Sequence, residues 1–179
     1  MQNSGFDHSY SWKILTEIPE GRIYLNFPSE TNWVSIEFLV EVFPKGRVPW
    51  IGNFTGSGFE FPSGVFTTPN MELLCINSRG SVYFINAEFP QNYFQCTIEP
   101  VLDIINSVEN NLMIFIGFTE LMIFDESGIK LTKKVSKDGI MITRISKEKI
   151  MGLAYSPIKN QYVNFEIDLE NNILSGGSV

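Results

Sequence analysis

An apolar run, a short polar turn and a second apolar run together mark a β-hairpin, and this pattern recurs three times along the 179-residue chain. Leu73 to Ile76 and Val82 to Ile85 flank Asn77-Ser78-Arg79-Gly80. Leu112 to Phe118 and Leu121 to Phe124 lead to Asp125-Glu126-Ser127-Gly128 before Ile129. Tyr162 to Leu169 leads to Glu170-Asn171-Asn172 before Ile173-Leu174. Asn77 and Asp125 are 48 positions apart, and Asp125 and Asp168 are 43 apart. A further strand is legible from Trp33, where Ile36, Phe38, Val40 and Val42 share one parity and Ser35, Glu37 and Glu41 the other. That alternation describes a half-buried strand, which Pro44-Lys45-Gly46 ends. Helical spacing is confined to Pro100 to Val108, whose β-branched residues fit a strand equally well. The expected architecture is all-β.

A repeat of about 43 to 48 residues with one hairpin per unit falls near the ~40 to 50 residues of a propeller blade. Leu121-Met122-Ile123-Phe124-Asp125-Glu126-Ser127-Gly128-Ile129-Lys130-Leu131 and Phe165-Glu166-Ile167-Asp168-Leu169-Glu170 resemble the last two strands of WD40 or PQQ-type blades. Where the PQQ pattern has tryptophan this chain has Leu131 or Thr132, so the resemblance implies no quinone cofactor, and no cofactor is expected. Val135-Ser136-Lys137-Asp138-Gly139-Ile140 and Gly152-Leu153-Ala154-Tyr155-Ser156-Pro157 are also similar to short bacterial single-domain β proteins, over roughly residues 100 to 177. That resemblance implies a fold and no particular activity. Three units cannot close a ring of ~4 to 8 blades. The expected fold is an irregular or incomplete propeller-like stack of antiparallel hairpins, with an incurved β-sandwich as the alternative.

One domain over residues 1–179 is expected from this length, with residues 1–10 a flexible polar tail. Hydrophobic content of 44% and 13% aromatics are those of a folding chain. No run approaches the ~18 apolar residues of a membrane helix, and the first residues lack a basic then apolar leader, so a cytoplasmic location is expected. Net charge is −7 and the pI is near 4.7, which argues against nucleic acid and anionic membranes as partners. Between Lys130 and Lys149 seven bases face two acids, a local +5, so the rest of the chain carries −12.

Catalytic patterns are sparse. His8 is the single histidine and lies in the polar N-terminal stretch, so neither a histidine-based triad nor a histidine-based zinc site has support. Cys75 and Cys96 sit in apolar runs that suit buried thiols, with one bridge between them left open. Glu166, Asp168 and Glu170 share one strand parity and form the carboxylate cluster that an enzyme or small-ligand binder would use. The same parity is that of a solvent-facing strand side. Asp168 to Asn172 starts like a calcium loop, but Ile173 stands where the turn needs glycine. Gly56-Ser57-Gly58 lacks the lysine and helix of a phosphate loop.

The segment from Trp50 to Gly64 interleaves glycines with Trp50, Phe54, Phe59 and Phe61. Aromatic anchors dominate binding hot spots, so Trp50, Phe54 and Phe59 are the candidate binding residues, with core filling as the competing use of Phe54 and Phe59. The function expected is a non-catalytic protein-interaction module, whose acidic charge would suit an immunity-type protein neutralising a basic toxin. A homo-oligomer is open.

Overall fold

The computed structural model describes residues 2–3, 5–29 and 35–179, which puts Trp33 outside the described residues. The fold is all-β, built among the described residues as four sheets of mostly antiparallel strands, and the chain divides into two compact units, residues 1–100 and 101–179. Among the described residues no sheet closes into a barrel and no helix is long and apolar enough to cross a membrane.

In the first unit, β1 (Gln2–Asn3) precedes β2 (Tyr10–Leu15), β3 (Tyr24–Phe27), β4 (Phe38–Pro44) and β5 (Trp50–Phe54). Strands β2 to β5 form one sheet in the order β2-β4-β5-β3, with β3 parallel to β5 at one end. The strands β6 (Gly64–Thr67), β7 (Leu73–Ser78), β8 (Ser81–Asn86) and β9 (Tyr93–Gln95) run as a meander, and β1 adds beside β6 in parallel. The two sheets share a core that includes Val40, Val42, Phe54, Leu74, Ile76 and Tyr83.

The second unit holds two meanders in strict chain order. One comprises β10 (Asp103–Ser107), β11 (Leu112–Ile116), β12 (Glu120–Asp125) and β13 (Gly128–Lys134). The other comprises β14 (Ile140–Ile145), β15 (Lys149–Ser156), β16 (Gln161–Asp168) and β17 (Ile173–Gly176). Ile114, Ile123, Ile150, Ala154, Phe165 and Ile167 fill the layer between them. Each of these strands pairs with its neighbour in the sequence, which is why the recurring hairpin is visible in the sequence.

Several expectations resolve in detail. The segment over 100–108 is strand β10 followed by a 3-10 turn at Val108–Asn110. The first hairpin turn has two residues, not four: Arg79 and Gly80 both have positive φ, at 46° and 94°, as a type I′ connection requires, and Asn77 Oδ1 accepts from Gly80 N at 2.9 Å. The expected half-buried strand is covered on both faces, because Leu39 is 2% exposed and the Glu41 carboxylate is paired to Arg22 at 3.0 Å. The expected flexible tail is anchored from Phe6 onward. Phe6 is buried with its N–H on Thr67 Oγ1 at 3.0 Å, and Tyr10 is buried with its hydroxyl on Leu73 O at 2.7 Å. Isolated aromatics in a polar stretch carry no periodicity from which to read such anchoring.

Phe165 lies on Gly152, its register partner on β15. A Cβ on Gly152 would sit 2.6 Å from that ring and 2.4 Å from Met141 O. Burial of the ring outweighs the ~0.5 to 1 kcal/mol that a strand glycine costs. Phe165→Ala should therefore lose about 3 to 5 kcal/mol. Gly152→Ala should also destabilise, since the obstructing carbonyl cannot rotate aside as a side chain can. Denaturant midpoints of both variants check this, and an unchanged midpoint for Gly152→Ala would show that the β14–β15 pair can shift to admit a methyl group.

Candidate functional site

Asn53 on β5 is fully buried and spends its whole side-chain amide on three partners in two segments. Its Oδ1 accepts from Glu37 N at 3.0 Å, and its Nδ2 donates to Ser35 O at 3.2 Å and to Asn26 Oδ1 at 3.2 Å. Held in this way, Glu37 turns its carboxylate onto the glycine-rich loop over 55–63. Glu37 Oε2 accepts from Gly56 N at 2.8 Å and pairs with Arg79 Nη2 at the tip of the β7–β8 hairpin.

The same hairpin tip grips the loop at further points. Ser57 Oγ donates to Arg79 O, Arg79 N donates to Ser63 Oγ at 3.2 Å, and Asn77 Nδ2 donates to Pro62 O at 3.2 Å. Tyr83 donates its hydroxyl to Thr55 O at 2.8 Å; burial pushes that hydroxyl's pKa up, with Glu99 and Glu37 adding to the effect. A Cβ on Gly56 would meet Arg79 Cβ at 2.9 Å, so glycine is needed there for the loop to pass the hairpin. Gly56 is there for close approach and Gly58 for its positive φ of 84°, and the loop is tied at residues 55–57 and 62–63, on either side of its tip.

The three binding candidates separate. Phe54 is 0% exposed and stacks on Phe27 with centroids 4.7 Å apart, so it is a core residue and not a recognition residue. Its parity places it on the inner face of β5, between the two sheets. Trp50 is half-buried, 6.1 Å from the Phe27 ring, and its Nε1 donates to Ala87 O at 2.8 Å. Phe59 is 49% exposed at the outer turn of the loop, paired with Phe61 at 5.5 Å. The candidate surface is thus the Phe59–Phe61 pair on a fixed loop.

Sequence reading missed a cavity of about 370 Å³ beside β3, walled by Tyr24, Phe27, Pro90 and Tyr93. Tyr93 meets Phe27 edge-on at 5.0 Å and receives Ser29 N on its hydroxyl at 3.0 Å. No sequence signal joins residues 24–29 to 90–93; only the fold does.

The remaining candidates are used structurally. Glu166 pairs with Lys149 Nζ at 2.6 Å. Asp168 caps the β16–β17 turn, its Oδ1 accepting from Asn171 N at 2.8 Å and Glu170 N at 2.9 Å, and these hydrogen bonds hold its carboxyl below the usual range. His8 is exposed, with Nδ1 3.0 Å from Phe6 O, and stacks near Tyr10 and Trp12. Cys75 and Cys96 are buried and do not form a disulfide with each other. Burial pushes the Cys96 thiol up to about 11 and the Cys75 thiol well above its ordinary value, so neither supplies a thiolate near neutral pH. In the basic window Lys130 lies 3.9 Å from Asp125, and Lys130, Lys133 and Lys134 lie on β13, at one end of its sheet.

No family model matches the chain, and no curated protein does. Among solved structures it is similar to the N-terminal domain of Nup159, at 12% identity and a TM-score of 0.43, over 98% of this chain and 52% of that one. It is similar to a chain in an S. cerevisiae assembly of Dbp5 bound to Nup159 and Gle1, at 12% identity and 0.38, over 100% and 52%. The WD40 domain of Neurospora crassa Pan2 matches at 11% identity and 0.30, over 97% and 74%. The chain spans about half the length of the first two.

Replacing Asn53 with Leu, of similar volume, strands Glu37 N, Ser35 O and Asn26 Oδ1 without a partner. At about 1 to 3 kcal/mol per buried unsatisfied group, the loss should exceed that of Glu37→Gln, which keeps an acceptor for Gly56 N. Faster hydrogen exchange at the Gly56 amide in Asn53→Leu and in Glu37→Ala, which removes the acceptor, is the second readout, and unchanged exchange in Glu37→Ala would show that Glu37 does not hold the loop. For Asp168, the depressed carboxyl contributes stability above its unfolded pKa and loses it as pH falls through the folded value. An Asp168→Asn variant should therefore show a shallower decline of stability in acid, measured by urea midpoints from neutral pH to pH ~2.

Proposed function

We propose that the protein is a non-catalytic protein-interaction module whose anchor is Phe59. The observation that carries this reading is that Phe59 is 49% exposed on a loop tied by Glu37 and the β7–β8 hairpin. An aromatic side chain has few rotamers to lose, and a fixed loop adds little ordering entropy, so the pair is suited to a central binding contact. A mobile loop displaying the same ring would lose part of its contact energy to ordering.

The charge of −7 favours a basic partner, since steering between opposite net charges speeds encounter and weakens with salt. Neutralising a basic protein toxin, as an immunity protein does, is a role that this combination of charge and anchor would serve. The carboxylate cluster of Glu166, Asp168 and Glu170 supports the alternative, a small-ligand site, less well, because Glu166 and Asp168 are committed to Lys149 and to the turn.

Co-purification of the tagged chain at low salt should recover a basic protein in stoichiometric amount. Phe59→Ala should weaken that complex by about 2 kcal/mol, roughly 30-fold, with an unchanged unfolding midpoint. The association rate should fall as salt is raised. Equal affinity of Phe59→Ala and the parent chain for the recovered partner would end this assignment.

A further inference from the structure

The cavity beside β3 and the edge of that strand form one continuous recognition surface. Strand β3 stands last in its sheet, and β5 is its only strand partner among the described residues. Phe27 O accepts from Thr55 N at 3.0 Å, so Phe27 and, two residues before it, Leu25 direct their backbone groups toward β5. In a parallel pair the intervening residues direct theirs the other way. Tyr24 and Asn26 therefore present N–H and C=O groups at an open edge.

Along that edge runs the cavity of about 370 Å³, lined by residues of β3 and by Pro90, Gln91 and Tyr93. None of the described side chains lining it is charged, although the chain has 33 charged residues among its 179. Its walls are aromatic and prolyl at Tyr24, Phe27, Pro90 and Tyr93, with neutral polar side chains at Asn26 and Gln91. Asn26 Oδ1 is spent on Asn53, but the Asn26 Nδ2 and the Gln91 amide make no hydrogen bond among the described residues.

We propose that this edge takes an extended, uncharged peptide segment of a partner protein as an added strand, with one aromatic or large aliphatic side chain seated in the cavity. Main-chain bonds to Tyr24 and Asn26 supply register, and the aromatic walls supply selectivity. A charged side chain would be desolvated there with no counter-charge, which excludes acidic and basic segments. A proline-rich helix fits less well, since it lacks the N–H groups that an open strand edge pairs with. The site is separate from the Phe59 loop and does not depend on it.

A displayed library of random peptides, selected on the full chain, tests this. Enriched peptides should carry an aromatic or large aliphatic residue within an uncharged stretch, and on binding the Tyr24 and Asn26 amides should gain exchange protection. Tyr24→Pro removes an outward N–H at the first position of the strand, where proline is tolerated, and Gln91→Glu puts a charge at the exposed cavity wall. Each should weaken the selected peptide at least tenfold at an unchanged melting temperature, while Phe59→Ala binds it as the parent does. An absence of enrichment, enrichment of charged or proline-rich sequences, or full binding by Tyr24→Pro would overturn the proposal. So would self-association of the chain through β3. Loss of peptide binding in Phe59→Ala alone would move the site to the loop, whereas failure of Phe59 against a protein partner leaves the β3 result standing.

Discussion

The side chain of Asn53 ties together the parts of the first unit that face outward. It sits at 0% exposure, and its oxygen and both hydrogens find partners, in Glu37, Ser35 and Asn26. A buried amide is tolerated only when satisfied in this way; half-satisfied, it would cost more than an apolar residue of the same shape. Through Glu37 the amide fixes the loop that carries Phe59, and through Asn26 it fixes β3 and one wall of the cavity. The loop over 55–63 and the β3 edge therefore share one internal support.

Around that polar centre the packing is aromatic. Phe27 stacks on Phe54, Tyr83 lies 5.6 Å from Phe54, and Tyr93 closes on Phe27 from the side. Gly52 makes room for this cluster, since a Cβ there would come within 2.6 Å of the Phe54 ring. The second unit repeats the device with Phe165 over Gly152. In each unit a strand glycine leaves room for a ring, that of Phe54 two residues along the same strand in the first and that of Phe165 on the paired strand in the second.

The parts of this fold that were legible in the sequence are those set by local patterning. Three hairpins and the strands that flank them follow from apolar runs separated by Asn, Asp and Gly at turns, although the first connection is two residues long and not four. Phe124 and Phe165 read as core residues because each belongs to an apolar strand run that leads into a hairpin turn, and they are 0% and 2% exposed. What could not be read depended on partners far away in sequence. Phe54 shares composition and spacing with Phe59, yet one is buried and the other displayed, because β5 pairs with β3 and β4 while the loop leaves the sheet. The parallel placement of β3 beside β5 has no hairpin signal at all, and the cavity it creates with residues 90–93 was invisible for the same reason.

The glycine-rich segment shows how composition misleads about rigidity. Glycines at 56, 58 and 64 suggest a mobile loop, because glycine has the most backbone freedom to lose. In the folded chain Gly56 is there because Arg79 leaves no space for a Cβ, and its N–H is held by Glu37. Glycine freedom thus becomes close approach, and close approach lets the hairpin tip bond the loop backbone at several points. The entropy cost of holding the loop at residues 55–57 and 62–63 is met in folding. Phe59 differs from an exposed aromatic on an untethered loop chiefly in that respect: the chain is held on either side of it, so less ordering is left for any contact its ring makes.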